Sequence, residues 1–132
     1  GAINHAMEFV QNRTTFGKMV SENQGIRWML ADMQMQTEAA RNLVYHAASM
    51  VDSGVTGNEL APFSAMAKCF ATDTAMKVAV DAVQLFGASG VSAEFQINRY
   101  MRDAKLLQIV EGTNQIQRNI ISNSMLGRPK TK

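Results

Sequence analysis

The sequence is poor in several features that would narrow its class directly. Its 132 residues include one cysteine, two prolines and one tryptophan. The lone Cys69 cannot close a disulfide within the chain, and no Cys/His cluster at ligand spacing is present to hold zinc, so a reducing compartment and no metal are expected. Runs of like charge are missing as well. The balance of 13 Lys+Arg against 11 Asp+Glu leaves +2, without the electrostatic footprint of a nucleic-acid binder. No apolar stretch approaches the ~20 residues that span a bilayer, and the first residues lack the basic-then-apolar layout of a signal peptide, which points to a soluble chain. Nor is there an alternating apolar-polar run of strand length. The chain opens Gly1-Ala2-Ile3-Asn4 with no initiator Met, inside what already reads as helix, since Ile3, Met7 and Val10 share a face. The expectation is one domain over residues 1–132, cut from a longer chain.

What is present is helical. Hydrophobic residues make up 46% and charged residues 18%, the composition of a compact globular chain. Gly and Pro punctuate it into long stretches. The first runs from Ala2 to Arg13 and ends in a turn at Thr14-Thr15-Phe16-Gly17. The second starts at a capping box, Ser21 with Gln24, and carries Ile26, Leu30, Met33, Thr37, Ala40, Val44, Ala47 and Val51 on one face until Gly54 stops it. That is a helix of ~30 residues and ~45 Å. A third begins near Asn58, places Pro62 in its first turn, and continues to Gly87. Its Ala67, Ala71, Ala75 and Ala79 form a small-residue row, with bulk on other faces, so burial between several helices is expected. Ser92 is the expected cap of a short helix through Phe95, Ile97, Tyr100 and Met101, and Thr113 that of a last helix closed by Gly127 and Pro129. The fold class is all-α, an antiparallel bundle of long helices with one or two short extra ones. Ten methionines are read first as core material.

Few residues advertise chemistry by local pattern. Glu111 lies between an apolar run and Gly112, where a poorly solvated carboxylate would be a good base near neutral pH. Local pattern alone favours the plainer reading of a solvated acid ahead of a helix N-terminus. Arg13-Thr14-Thr15-Phe16-Gly17-Lys18 could hold a phosphate or simply end a helix. Gln84 through Gly90 is open to the same two readings. Thr113, Asn114 and Gln115 offer hydroxyl and amide groups at a helix start, suited to an anion or to capping. Arg99, Arg102, Asp103 and Lys105 read as a solvated face, and His5 and His46 receive no role.

Taken in order, however, these segments resemble one family, the acyl-CoA dehydrogenases, over nearly the whole chain and specifically its C-terminal helical domain. Arg13-Thr14-Thr15-Phe16-Gly17-Lys18 is similar to the family's Arg-x-x-Phe-Gly-Lys segment. Leu30-Ala31-Asp32-Met33, Glu38-Ala39-Ala40-Arg41, Ala65-Met66-Ala67-Lys68 and Ala82-Val83-Gln84-Leu85-Phe86-Gly87 continue the match. The most specific part is Met101-Arg102-Asp103-Ala104-Lys105 followed by Gln108-Ile109-Val110-Glu111-Gly112-Thr113-Asn114-Gln115-Ile116-Gln117-Arg118. The resemblance implies FAD-dependent α,β-dehydrogenation of an acyl-CoA thioester to the trans-2-enoyl-CoA. Glu111 would be the catalytic base that takes the α-proton while the β-hydride goes to flavin N5, with Gly112 beside the acyl chain. It implies flavin contacts at Arg13, Phe16, Gln24, Gln84, Gly87, Thr113 and Gln115, several of them to the FAD of a neighbouring subunit in a homotetramer. It further implies an electron-transfer flavoprotein as acceptor, and a cytoplasmic location in a bacterium or the mitochondrial matrix in a eukaryote. Two positions depart from the family's common pattern: Gly87-Ala88 where a Gly-Gly pair is frequent, and Val110 where Tyr is frequent before the glutamate. The upstream helical and β domains, which supply most of the thioester pocket in the family, lie outside these residues, so the chain alone is expected to be inactive. The competing expectation is a stand-alone, non-catalytic helical assembly or binding module derived from the same family.

Overall fold

The computed structural model describes residues 1–129. Five α-helices account for most of it: α1 (Ala2–Asn12), α2 (Gln24–Asp52), α3 (Gly57–Phe86), α4 (Gln96–Leu107) and α5 (Asn114–Leu126). The expected all-α class is therefore observed, with one addition. The turn after α1 is a small β-hairpin, β1 (Thr14–Thr15) and β2 (Lys18–Met19), in register Thr14 to Met19 and Thr15 to Lys18. Strands of two residues are too short to show alternation, which is why the sequence reads here only as a turn.

Helices α2 and α3 form an antiparallel hairpin. Their contacts run in opposite numerical order: His46 packs edge-on to Phe63, while Gln34 and Thr37 flank Ala75, Val78 and Ala79. Gly54 ends α2 as expected. At φ 84° it donates to the Val51 carbonyl at 2.9 Å, and Val55 donates to the Met50 carbonyl at 3.0 Å, the paired bonds of a Schellman motif. The apolar face of α2 is only half used. Met33, Ala40 and Ala47 are buried against α3, but Val44 and Val51, in the second row, remain 41% and 55% exposed. Toward its C-terminal end α2 packs chiefly on α3, so only one row is covered.

Two expected caps and one proline are placed differently. Ser21 lies inside a short 3₁₀ turn, Val20–Glu22, and the reciprocal contact is made by Glu22, whose Oε1 accepts from the Met19 N–H at 2.9 Å. Asn23 precedes α2 without capping it, its Nδ2 donating back to the Val20 carbonyl at 3.0 Å. Ser92 closes a 3₁₀ turn, Gly87–Val91, and its Oγ accepts from the Glu94 N–H at 3.3 Å, so α4 starts only at Gln96. Pro62 falls in the second turn of α3, because the helix begins at Gly57. The N–H it lacks would have met the carbonyl of Asn58, an exposed residue that water can reach. Thr113 caps α5 as expected, its Oγ1 accepting from the Ile116 N–H at 3.3 Å.

Helix α3 is the shared partner, packing against α1, α2, α4 and α5. Of the expected small-residue row, Ala67 and Ala79 are buried and Ala71 and Ala75 half-buried; Ala65 and Ala82, outside that row, are buried too. Near its C-terminal end Val78, Ala82, Leu85 and Phe86 join Ala6 and Val10 of α1, Met33 of α2 and Ile97 of α4 in the main core. Phe9 stacks on Phe86 at 4.1 Å between centroids, and Phe95 meets Phe86 edge-on at 5.6 Å. Each such aromatic pair adds roughly 0.5–1.5 kcal/mol to the burial itself. Gly90 closes this end. A Cβ there would lie 2.5 Å from the Val83 carbonyl, so the glycine is required by close backbone packing.

The other half of α3 binds α5 through polar groups. Asp73 accepts from Gln108 Nε2 at 2.7 Å and Asn114 Nδ2 at 2.6 Å, and from Arg118 Nη2 at 2.6 Å. Burial pushes the Asp73 carboxyl up, but the hydrogen bonds from Arg118, Asn114 and Gln108 outweigh it and hold the group below the ordinary carboxylate range.

Two outcomes are expected from this packing. Gly90→Ala should destabilise the chain by about 1–3 kcal/mol, seen as a lower urea midpoint at unchanged slope. Asp73 has a depressed native pKa, so its contribution is present above the unfolded value of about 4 and is lost as pH falls through the native one. Asp73→Asn should therefore lower stability by about 1–2 kcal/mol near pH 6, the side chain being 37% exposed and partly screened. The gap between the two proteins should shrink toward pH 3 when urea midpoints are compared.

Candidate functional site

The segment between α4 and α5 carries Glu111. It leaves α4 through Ile109 and Val110, whose N–H groups both donate to the Leu106 carbonyl, and it closes where the Asn114 N–H donates to the Gln108 carbonyl at 3.0 Å. Inside that closure Glu111 has φ 54° and Gly112 φ 83°. Glycine suits the left-handed region; glutamate does not, and about 1–2 kcal/mol of strain is stored at Glu111. The strained peptides are held directly. Gln117 Nε2 donates to the carbonyls of Glu111 and Gly112 at 3.1 and 3.2 Å, and Lys68 Nζ donates to that of Gly112 at 2.9 Å. Gly112 also lets Gln117 approach, since a Cβ there would lie 2.9 Å from its Nε2.

Asn114 is the buried centre of this arrangement. Its Oδ1 accepts from Lys68 Nζ at 2.7 Å, and its Nδ2 donates to Thr72 Oγ1 at 2.9 Å as well as to Asp73. Cys69 lies alongside, its thiol pushed up by burial. Lys68, Thr72 and Asp73 were not singled out as site residues in the sequence. The available signal was three polar residues on one face of a helix expected to be buried on several sides, where polar groups need partners.

With its backbone so fixed, the Glu111 side chain is exposed, and so are Gly112 and Gln115; Thr113 is half-buried. A dry setting for the carboxylate is thus not made by residues 1–129 themselves.

The remaining expected residues gather elsewhere. Arg13 follows α1, and its carbonyl accepts from the Val20 N–H at 2.8 Å, which folds the hairpin back along the helix. Phe16 and Gly17 form the two-residue tip at φ 51° and 79°, a pattern that normally selects Asn-Gly. Phe16 is nonetheless completely exposed, 104% of its reference area. Gln24 opens α2 and is exposed. Arg13 shares an open cleft of about 450 Å³ with His5, Glu8, Phe9, Phe86 and Phe95. Beside Phe86, Gly87 ends α3 at φ 60°, with Gln84 exposed one turn before it. The hairpin and the end of α3 therefore form one neighbourhood and the Glu111 loop another. Asp73, which anchors the loop, and Phe86 are thirteen residues apart on α3, about 20 Å along its axis. Phe16 and Glu111 are the two non-glycine residues with positive φ among those described, and one falls in each neighbourhood.

The Arg99, Asp103 pair is a solvated surface contact at 3.4 Å, as its sequence pattern suggests.

Known proteins match this chain along nearly its full length. Residues 1–126 match the family description "Acyl-CoA dehydrogenase, C-terminal domain". A probable acyl-CoA dehydrogenase of Mycobacterium tuberculosis, FadE25, is 48% identical over 126 residues, covering 96% of this chain and 32% of that protein. The structure of butyryl-CoA dehydrogenase from Megasphaera elsdenii superposes with a TM-score of 0.90 at 45% identity, over 95% of this chain and 32% of that one. A chain in the structure of the electron transferring flavoprotein of Acidaminococcus fermentans also gives 0.90, at 44% identity, over 96% of this chain and 33% of that one. This chain thus spans about a third of the length of the relatives it matches. With the fold, the order of its motifs and these likenesses in agreement, the chain belongs to the acyl-CoA dehydrogenase family, as its C-terminal domain.

Proposed function

We propose that this domain supplies the base and part of the flavin site of an FAD-dependent enzyme that converts an acyl-CoA thioester to the trans-2-enoyl-CoA. The observation that carries the reading is Glu111. A carboxylate on a strained, heavily bonded backbone, free of any ion pair among the described residues, is the arrangement found where geometry serves chemistry. The thioester acidifies the α-carbon of the substrate, and Glu111 accepts the α-proton through a side-chain oxygen. Other segments of the longer protein must cover it to exclude water. Gly112 leaves room for the acyl chain beside the backbone, and Val110 stands next to it where a larger Tyr is common.

The donor set suits FAD. Arg13 offers a guanidinium for a diphosphate, Phe16 an uncovered ring for stacking, and Gln24, Gln84 and Gln115 exposed amides. Gly87 allows close backbone approach, and Thr113 keeps its hydroxyl proton to donate while its oxygen caps α5. FAD, when bound, supplies the acceptor for the β-hydride. The ~20 Å between the two neighbourhoods supports one domain serving two flavins, Thr113 and Gln115 contacting one, and Arg13, Phe16, Gln24, Gln84 and Gly87 that of an adjacent subunit. A homotetramer provides such a neighbour and covers the exposed apolar side chains, among them Trp28, Met35 and Leu126. An electron-transfer flavoprotein is the proposed acceptor of the electrons. No helix of the described residues is long and apolar enough to cross a membrane; a bacterial cytoplasm or a mitochondrial matrix is the proposed location.

Glu111→Gln in the FAD-loaded protein that carries this domain should slow flavin bleaching by acyl-CoA by about 10²–10⁴-fold with FAD still bound, as read by anaerobic stopped flow. Bleaching at the wild-type rate would remove Glu111 as the base. Phe16 buries nothing within the chain, so Phe16→Ala should leave thermal unfolding of the isolated chain unchanged. In the loaded protein it should weaken FAD by about 1 kcal/mol, measured as flavin retained per protein after dilution.

A further inference from the structure

The residues that hold Glu111 in its left-handed conformation are not all in its own segment. Gln108 and Asn114 stand three residues before and three after it. Both donate their side-chain amides to a single oxygen, Oδ1 of Asp73, at 2.7 and 2.6 Å. The other oxygen, Oδ2, receives Arg118 Nη2 at 2.6 Å, which fixes the carboxylate plane. Arg118 Nη1 also donates to the Asn114 carbonyl at 3.2 Å. The loop is thereby drawn shut at both ends onto one point of α3, and the Asn114 N–H bond to the Gln108 carbonyl spans the gap.

We propose that Asp73 is a positioning residue for Glu111: by collecting Gln108 and Asn114 on one oxygen it fixes the closed loop geometry that aims the glutamate side chain outward. The proposal rests on the reading of Glu111 as the base. Asp73 touches neither substrate nor flavin in this role. It acts through the loop, so its loss should appear in the rate of the proton-abstracting step with substrate binding largely kept.

Two variants of the FAD-loaded protein test it. Asp73→Ala removes the oxygen on which both amides converge, together with the Arg118 contact. Gln108→Met removes one arm of the clamp while leaving the Asp73, Arg118 pair intact, and it guards against an Asp73 variant that fails to fold. By hydrogen-exchange mass spectrometry, exchange of peptides covering residues 108–117 should speed up in both variants by about tenfold more than that of peptides covering residues 2–10 of the core, which report the global loss of stability. Flavin reduction should fall about 10- to 100-fold, with KM altered by less than about threefold. Wild-type exchange over residues 108–117 overturns the proposal, and so does faster exchange with an unchanged rate of reduction. Wild-type reduction in Glu111→Gln overturns the reading beneath it. The exchange result stands apart from that failure, because it reports the loop whatever Glu111 does.

Discussion

Every other helix in this domain reaches its place by packing on α3, and the sides of α3 set what each neighbour can do. Alanines at 65, 67, 79 and 82 bring the neighbouring helices close, which excludes water and leaves room for little besides backbone and small side chains. One half of α3 receives α1, α2 and α4 on apolar residues and ends in the Phe9, Phe86 and Phe95 cluster. The other half presents Lys68, Thr72 and Asp73 to α5. Burying those groups without partners would be costly, and the partners available are Gln108, Asn114, Arg118 and the carbonyl of Gly112. Satisfying α3 therefore constrains the loop that carries Glu111. Among the described residues no buried side-chain nitrogen or oxygen is left without a partner.

The two strained non-glycine residues are supported differently. Glu111 is over-determined: Gln117 and Lys68 bond the carbonyls of its peptide and the next, and Asp73 gathers the flanking side chains. Phe16 has only the two-residue strands on either side and the bond from Val20 to Arg13, with its ring in solvent. An aromatic ring at a left-handed turn position, in contact with nothing of its own chain, contributes nothing to the stability of this domain.

Much of the fold was legible because helices are local objects. The 3.6-residue period, Gly54 as a stop and Thr113 as a cap are all encoded within a few residues of where they act, and the structure places them accordingly. The starts of α2 and α4 differ from the local capping pattern. Ser21 lies inside one short 3₁₀ turn and Ser92 closes another, and Glu22 and Phe95 occupy the places expected for Gln24 and Ser92. The half-exposed face of α2 was illegible for another reason: periodicity shows which side chains share a face, not how much of that face a neighbour covers.

The candidate site divides along the same line. The sequence by itself determined the helix spans, the family, and Glu111 with its surrounding motif, because these depend on residue order over short distances. Only the tertiary structure decided that Glu111 sits at φ 54° with an exposed side chain, that Asp73 holds Gln108 and Asn114 together, and that Arg13 and Gly87 belong to one neighbourhood while Thr113 belongs to another. The reason is physical. A hydrogen bond between residues some forty positions apart depends on the register with which α5 and its preceding loop dock on α3, and no spacing within either segment carries that information.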